Sequence, residues 1–150
     1  MKLKVIIACT AATFATSGFA EGDAEAGAKA FNKCKSCHMI VDDAGEVIVK
    51  GGKTGPNLYN VVGRAAGSVD GFRYGKSTVA AGEAGLVWDA ETLAAYIPDP
   101  TAFLKDYLDD SKARSKMAKQ RVKNIEDLTA YLVSVSPAAA EMAEEAEATN

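Results

Sequence analysis

The chain has 150 residues, with 17 lysines and arginines against 20 aspartates and glutamates, a formal charge of −3, one histidine and three cysteines. That length suits one compact domain with a single core rather than two domains. The acidic balance gives no support to a nucleic-acid-binding role.

Residues 1–20 read as an export signal. Lys2 and Lys4 make a positive start, Val5 to Ala15 form a short apolar run, and Gly18-Phe19-Ala20 offers small residues where a signal peptidase reads. That run is well short of the roughly 20 residues needed to span a bilayer, so a membrane anchor is the weaker reading. A lipoprotein signal ending at Cys9 is also weaker, because hardly any apolar segment separates Lys4 from Cys9. Cleavage after Ala20 removes Lys2, Lys4 and Cys9, so the mature charge becomes −5, with 15 basic residues against 20 acidic ones.

Beyond the signal the pattern predicts helices and turns. Asp23 can cap a helix over 23–36, with Ala24, Ala28, Phe31 and Cys34 on one side. Gly27, one turn before Phe31, allows another backbone to approach. Residues 41–57 are glycine-rich and charged, hence loop, with Val47-Ile48-Val49 as a small hairpin strand. Asp89 can cap a helix through Thr92, Leu93, Tyr96 and Ile97, which Pro98 ends. Asp99-Pro100 then starts another through Phe103, Leu104 and Tyr107, with proline at the first helical position. Asn124 with Asp127 resembles a capping arrangement for a last helix, whose stripe of Ile125, Leu128, Leu132 and Val135 is expected to pack on the first. Pro137 stops that helix. The rest, Ala138 to Asn150, has four glutamates and no basic residue, and it lacks the apolar variety for a core. The expected organisation is therefore a cleaved signal at 1–20, one domain at 21–136 and a mobile acidic tail at 137–150. No internal repeat is apparent.

Chemistry concentrates at Cys34-Lys35-Ser36-Cys37-His38, which holds both cysteines of the mature chain and its only histidine. Two cysteines at this spacing can each form a thioether to a haem vinyl group, and the next histidine is placed to ligate the iron. A thioredoxin-like pair would stand at a helix N-terminus, whereas this one follows a helix. Structural zinc prefers four cysteine or histidine ligands, and three remain here. A bare disulfide leaves His38 unexplained. For a sixth iron ligand the strong-field candidates are a methionine or a lysine amine. Met39 adjoins His38 and cannot also cross the ring, and Met142 lies in the tail. That leaves Met117, set in the basic run Lys112 to Arg121, which has no apolar periodicity to bury it.

These residues resemble the class I c-type cytochromes, specifically the soluble bacterial c2 and c550 type related to mitochondrial cytochrome c. The resemblance covers about residues 22–136. It is carried by the Cys34–His38 pentapeptide, Thr54-Gly55-Pro56-Asn57-Leu58, Val62-Gly63-Arg64, Gly71-Phe72-Arg73-Tyr74, Trp88 through Pro100, and Ser115-Lys116-Met117. It implies an all-α cytochrome c fold around one covalent haem c, with long loops and a minor hairpin. It further implies His38 and Met117 as axial ligands, with the Pro56 carbonyl on the second ring nitrogen of His38. Arg64, Tyr74, Trp88 and Ser115 are implied to satisfy the haem propionates, and Tyr96 to reach the methionine sulfur. Phe31 and Tyr131 match the aromatic contact between the first and last helices. Insertions relative to the mitochondrial pattern fall at 38–56, 74–88 and 100–117.

The implied function is a monomeric, periplasmic one-electron carrier, not an enzyme. It would dock transiently with membrane-bound redox complexes, a bc1-type donor and an oxidase or photosynthetic reaction centre, without inserting into the membrane. Two filled axial positions disfavour chemistry at the iron, and thioether ligation raises the potential. Residues 111–125 carry Lys112, Arg114, Lys116, Lys119, Arg121 and Lys123 with no acid. With Lys33 and Lys35 they are expected to ring the haem edge and steer an acidic partner. The alternatives are a peroxidase-type haem enzyme, which lacks a second histidine to serve it, and a thiol-disulfide oxidoreductase.

Overall fold

The computed structural model describes residues 22–139, so the expected export signal and the last eleven residues of the tail lie outside it. Asp23 does cap the first helix, α1 (Ala24–Ala30), its Oδ1 accepting from the N–H groups of Glu25 and Ala26 at 2.8 and 3.2 Å. A tighter 3-10 turn, Phe31–Lys33, continues it and ends at Cys34. The helix expected over 23–36 is thus shorter and two-part, with the cysteine pair in the turn that leaves it.

A two-stranded antiparallel hairpin follows, β1 (Ile40–Val41) with β2 (Val47–Val49), Ile40 facing Val49 and Val41 facing Val47. The hairpin matches the expectation at Val47-Ile48-Val49; Ile40 is buried, while Val47 and Ile48 face solvent. Helix α2 (Lys76–Glu83) had no counterpart in the sequence reading. Gly75 caps it without a side-chain acceptor, and Gly82 sits inside it, so its local signals are weak. Tertiary contact selects it: Thr78 and Ala81 are buried, and a Cβ on Gly82 would lie 2.9 Å from the carbonyl carbon of Ala66.

Helices α3 (Ala90–Tyr96) and α4 (Pro100–Leu108) stand as expected. Asp89 and Thr92 form a reciprocal capping box, the Asp89 carboxylate accepting from Thr92 N–H at 2.7 Å and Thr92 Oγ1 accepting from Asp89 N–H at 2.9 Å. Asp99 accepts from Ala102 N–H at 3.1 Å, and Pro100 occupies the first turn of α4 without losing a bond.

The last helix, α5 (Ile125–Ser134), packs on α1 as its apolar stripe predicts. Leu128 and Leu132 are buried, the Phe31 and Tyr131 rings are 5.5 Å apart, and Gly27 lets the two backbones approach. The cap of α5 differs from expectation. Asn124 accepts no helix N–H through its side chain; its amide donates to Asp127 Oδ2 at 3.0 Å. Asp127 Oδ1 instead accepts from the N–H of Asp23 at 2.9 Å, because the start of α1 crosses the first turn of α5 there. Residues 137–139, assigned above to the tail, are helical, and Ala138 N–H donates to Asn60 Oδ1 at 3.2 Å. Buried Ser136 donates to the Leu132 carbonyl at 2.7 Å and accepts from Val62 N–H at 3.1 Å. The fully buried side chains include Phe31, Ile40, Leu104 and Leu128, drawn from helices and hairpin alike. No helix among the described residues is long and apolar enough to cross a membrane.

Candidate haem site

The chain turns back on itself immediately after the first helix. Cys34 N–H donates to Phe31 O at 2.8 Å, and the Cys34 carbonyl accepts from Cys37 and His38 at 3.0 and 2.8 Å. This compact turn leaves Cys34 half-buried and Cys37 exposed, while His38 is only 9% exposed. The glycine-rich loop then closes over the turn. Gly52 and Gly55 donate to Lys35 O and Cys37 O, each at 2.8 Å. A Cβ on Gly55 would stand 2.6 Å from His38 Nδ1 and 2.8 Å from Nε2, so only glycine leaves room for the imidazole.

His38 Nδ1 lies 2.8 Å from the Pro56 carbonyl oxygen. A carbonyl only accepts, so Nδ1 carries the proton and Nε2 presents its lone pair. Burial lowers the His38 pKa, the Pro56 carbonyl partly opposes that, and the Arg64 charge adds to the lowering. The ring is therefore held neutral, the form a metal binds. Burial raises the pKa of Cys34, while hydrogen bonds from Thr54 and Ser36 lower that of Cys37.

A cavity of about 340 Å³ opens beside this turn, and Cys34, Cys37, His38, Pro56 and Met117 all line it. Arg64, Tyr74, Trp88, Tyr96 and Ser115 line the same cavity. The structure thus brings every sequence-identified cofactor residue to one wall or another of a single space. Two Arg64 nitrogens donate to Tyr59 O and Asn57 O at 3.0 and 2.9 Å, which fixes the guanidinium in place. Burial raises the Tyr74 pKa and the Arg64 charge lowers it. The Tyr96 hydroxyl lies 3.1 Å from Ser115 Oγ, which accepts from Met117 N–H at 3.0 Å. Its link to Met117 in this structure therefore runs through Ser115 to the backbone.

The basic residues are distributed around this cavity unevenly. Lys33 and Lys116 line it; Lys35, Lys112, Arg114, Lys119, Arg121 and Lys123 lie outside its wall, all exposed but half-buried Lys35. Several have partners within the chain: Lys33 Nζ donates to Arg121 O at 3.0 Å, Lys116 Nζ to Arg73 O at 2.8 Å, and Lys119 pairs with Asp99. Sequence reasoning missed Thr54, Gly55 and Thr78 on the cavity wall. The first two lie within a motif already singled out, whereas Thr78 rides on the helix that no local signal announced.

An imidazole with a bare nitrogen, a thioether and two thiols on one largely apolar cavity form a donor set suited to a covalently held haem. The fold and this cavity define the class as c-type cytochrome. No family model matches the chain. The cytochrome c-551 of Roseobacter denitrificans is 65% identical over 134 residues, which are 89% of this chain and 94% of that protein. The cytochrome c2 of Rhodobacter capsulatus is 50% identical over 135 residues, 90% and 98% of the two chains. Its solved structure superposes with a TM-score of 0.74 at 55% identity, covering 76% of this chain and 98% of that one. The cytochrome c2 structure from Paracoccus denitrificans gives a TM-score of 0.77 at 46% identity, covering 79% and 100%. The chain belongs to the cytochrome c2/c-550 family of class I c-type cytochromes, electron carriers rather than enzymes. Membership implies a covalent haem c, and Cys34, Cys37 and His38 are present to receive it.

Proposed function

We propose that the protein is a periplasmic one-electron carrier with a single haem c, attached through Cys34 and Cys37 and ligated axially by His38 and Met117. The observation that carries this reading is the shared cavity, where His38 Nδ1 is committed to Pro56 O and Met117 lines the same space. When bound, the haem supplies a reversible ferric/ferrous couple. His38 is kept neutral and oriented by Pro56, which strengthens donation from Nε2. Met117 supplies a soft sulfur that favours the reduced state, and the apolar wall penalises added positive charge in the same direction. Arg64, Tyr74, Trp88 and Ser115 satisfy the propionate end, where an unpaired carboxylate would be costly to bury. With both axial positions taken, no site remains for a substrate.

Export through residues 1–20 delivers the chain to the periplasm, where the partners are membrane-bound redox complexes, a bc1-type donor and an oxidase or photosynthetic reaction centre. The protein acts as a monomer and docks on these complexes transiently, guided by Lys33, Lys35 and the basic side chains of 112–123. Its rate is expected to fall as salt rises; rates indifferent to ionic strength would count against steering.

Two measurements test the centre itself. Denaturing the purified protein in acidified solvent should leave the pigment on the chain, with the mass of polypeptide plus one haem; colour that washes away ends the reading. Met117→Ala should abolish the methionine-to-iron charge-transfer band and lower the potential while the pigment stays attached. Persistence of the band in that variant would remove Met117 as the ligand.

A further inference from the structure

Met117 stands in segment 109–124, which contains neither helix nor strand. Its position depends on bonds to neighbouring elements. On the N-terminal side, Arg114 N–H donates to Ser77 Oγ at 3.0 Å and Ser115 N–H to Thr101 Oγ1 at 3.2 Å. On the C-terminal side, Gln120 N–H reaches Ile97 O only at 3.3 Å, and Lys119 pairs with Asp99. This is the only ion pair among the described residues.

These two contacts land on the corner between α3 and α4, and four residues beyond Met117 the Arg121 carbonyl also accepts from Lys33 Nζ at 3.0 Å. That corner is stiff, because Pro98 and Pro100 restrict the backbone and Pro100 is buried. Asp99 is itself fixed by accepting the Ala102 N–H at the start of α4. A side chain held in this way offers its second oxygen to Lys119 at little cost in conformational freedom.

We propose that Asp99 and Lys119 are positioning residues for Met117: their ion pair fastens the C-terminal side of the ligand segment to the helix corner and opposes departure of the sulfur from the iron. The inference rests on the reading of Met117 as the axial ligand. Any ligand that displaces the sulfur requires this segment to move away, and a bond two residues from Met117 is among the first to open. Lys119 and Asp99 side chains are 72% and 33% exposed, so the pair is screened and its effect is moderate. Lys119 also contributes less to the docking field than its exposure suggests, since its charge already has a partner.

The test is an imidazole titration of the ferric holoprotein, followed by loss of the methionine-to-iron band. Asp99→Asn keeps an acceptor for Ala102 N–H and removes the charge; Lys119→Gln removes the other half. Each is expected to tighten imidazole binding about two- to fivefold, the range typical of an exposed pair, with no further gain in the double variant. Lys119→Arg should restore wild-type affinity, and high salt should erase the difference between wild type and Asp99→Asn. Guanidinium midpoints should stay near wild type, which separates positioning from general stability. Unchanged imidazole affinity in Asp99→Asn, with the band present in the wild type, overturns this inference and leaves the ligand assignment standing. A matching fall in the guanidinium midpoint also overturns it. Absence of the band in the wild type overturns the ligand assignment and this inference together.

Discussion

Replacing Gly27 by alanine sets two effects of opposite sign against each other. In a helix interior alanine is favoured over glycine by about 1 kcal/mol, so an isolated α1 would gain. In the folded protein the new Cβ would lie 1.9 Å from the Asp127 carbonyl oxygen and 2.7 Å from both its carbon and Tyr131 Cβ, where ordinary contact begins at 3.4 Å. The obstacle is chiefly α5 backbone, which cannot rotate aside, so the helices must separate by about 1.5 Å, the difference between 1.9 and 3.4 Å. Overpacking of this kind costs about 1–3 kcal/mol, and loosening the Phe31–Tyr131 ring pair forfeits part of roughly 0.5–1.5 kcal/mol more. The net expectation is a loss of about 2 kcal/mol, or a fall of about 0.5 M in the guanidinium midpoint for a domain of this size. Unfolding of the holoprotein followed by far-ultraviolet circular dichroism measures it. A midpoint equal to or above wild type would refute the reasoning, since propensity would then have outweighed the helix contact.

Gly55→Ala should push the His38 ring off the Pro56 carbonyl, seen as faster exchange of the Nδ1 proton by NMR; a proton that stays protected would contradict the packing argument. Asp89→Ala removes the capping box of α3 and should cost about 1 kcal/mol in thermal unfolding, most of it recovered by Asp89→Ser. The backbone N–H of Asp23 and the Asn124 amide hold the Asp127 carboxyl below its ordinary value of 3.8. Its folded state binds a proton less readily than the unfolded chain, so its contribution is complete above that value and is lost as pH falls through the folded pKa. Unfolding midpoints against pH should therefore decline less steeply in Asp127→Asn than in wild type over the acid range; parallel declines would show that the Asp23 contact does not matter.

Much of the site was legible because its chemistry is local or uniquely assigned. Cys34, Cys37 and His38 lie within five residues of one turn, and Met117 stands out by elimination among few methionines. The caps at Asp23, Asp89 and Asp99 were legible for a similar reason, since each acts on N–H groups two or three residues away. Helix α2 was not, because its glycines erase the local pattern and burial of Thr78 and Ala81 supplies what propensity does not. Asp127 was misassigned as a partner in a cap because its acceptor oxygen serves a residue 104 positions away.

Taken alone, the order of residues determined which groups are on offer, two thiols and an imidazole in one pentapeptide and a thioether at Met117, and where four of the five helices start, since these depend on residue identity and short spacings. Tertiary structure alone decided pairings that no short spacing announces: Tyr96 on Ser115, Asp127 on Asp23, and Lys119 on Asp99. Hydrogen bonds and ion pairs act over about 3 Å of space whatever the separation in sequence, so only the folded path of the backbone can say which donor meets which acceptor.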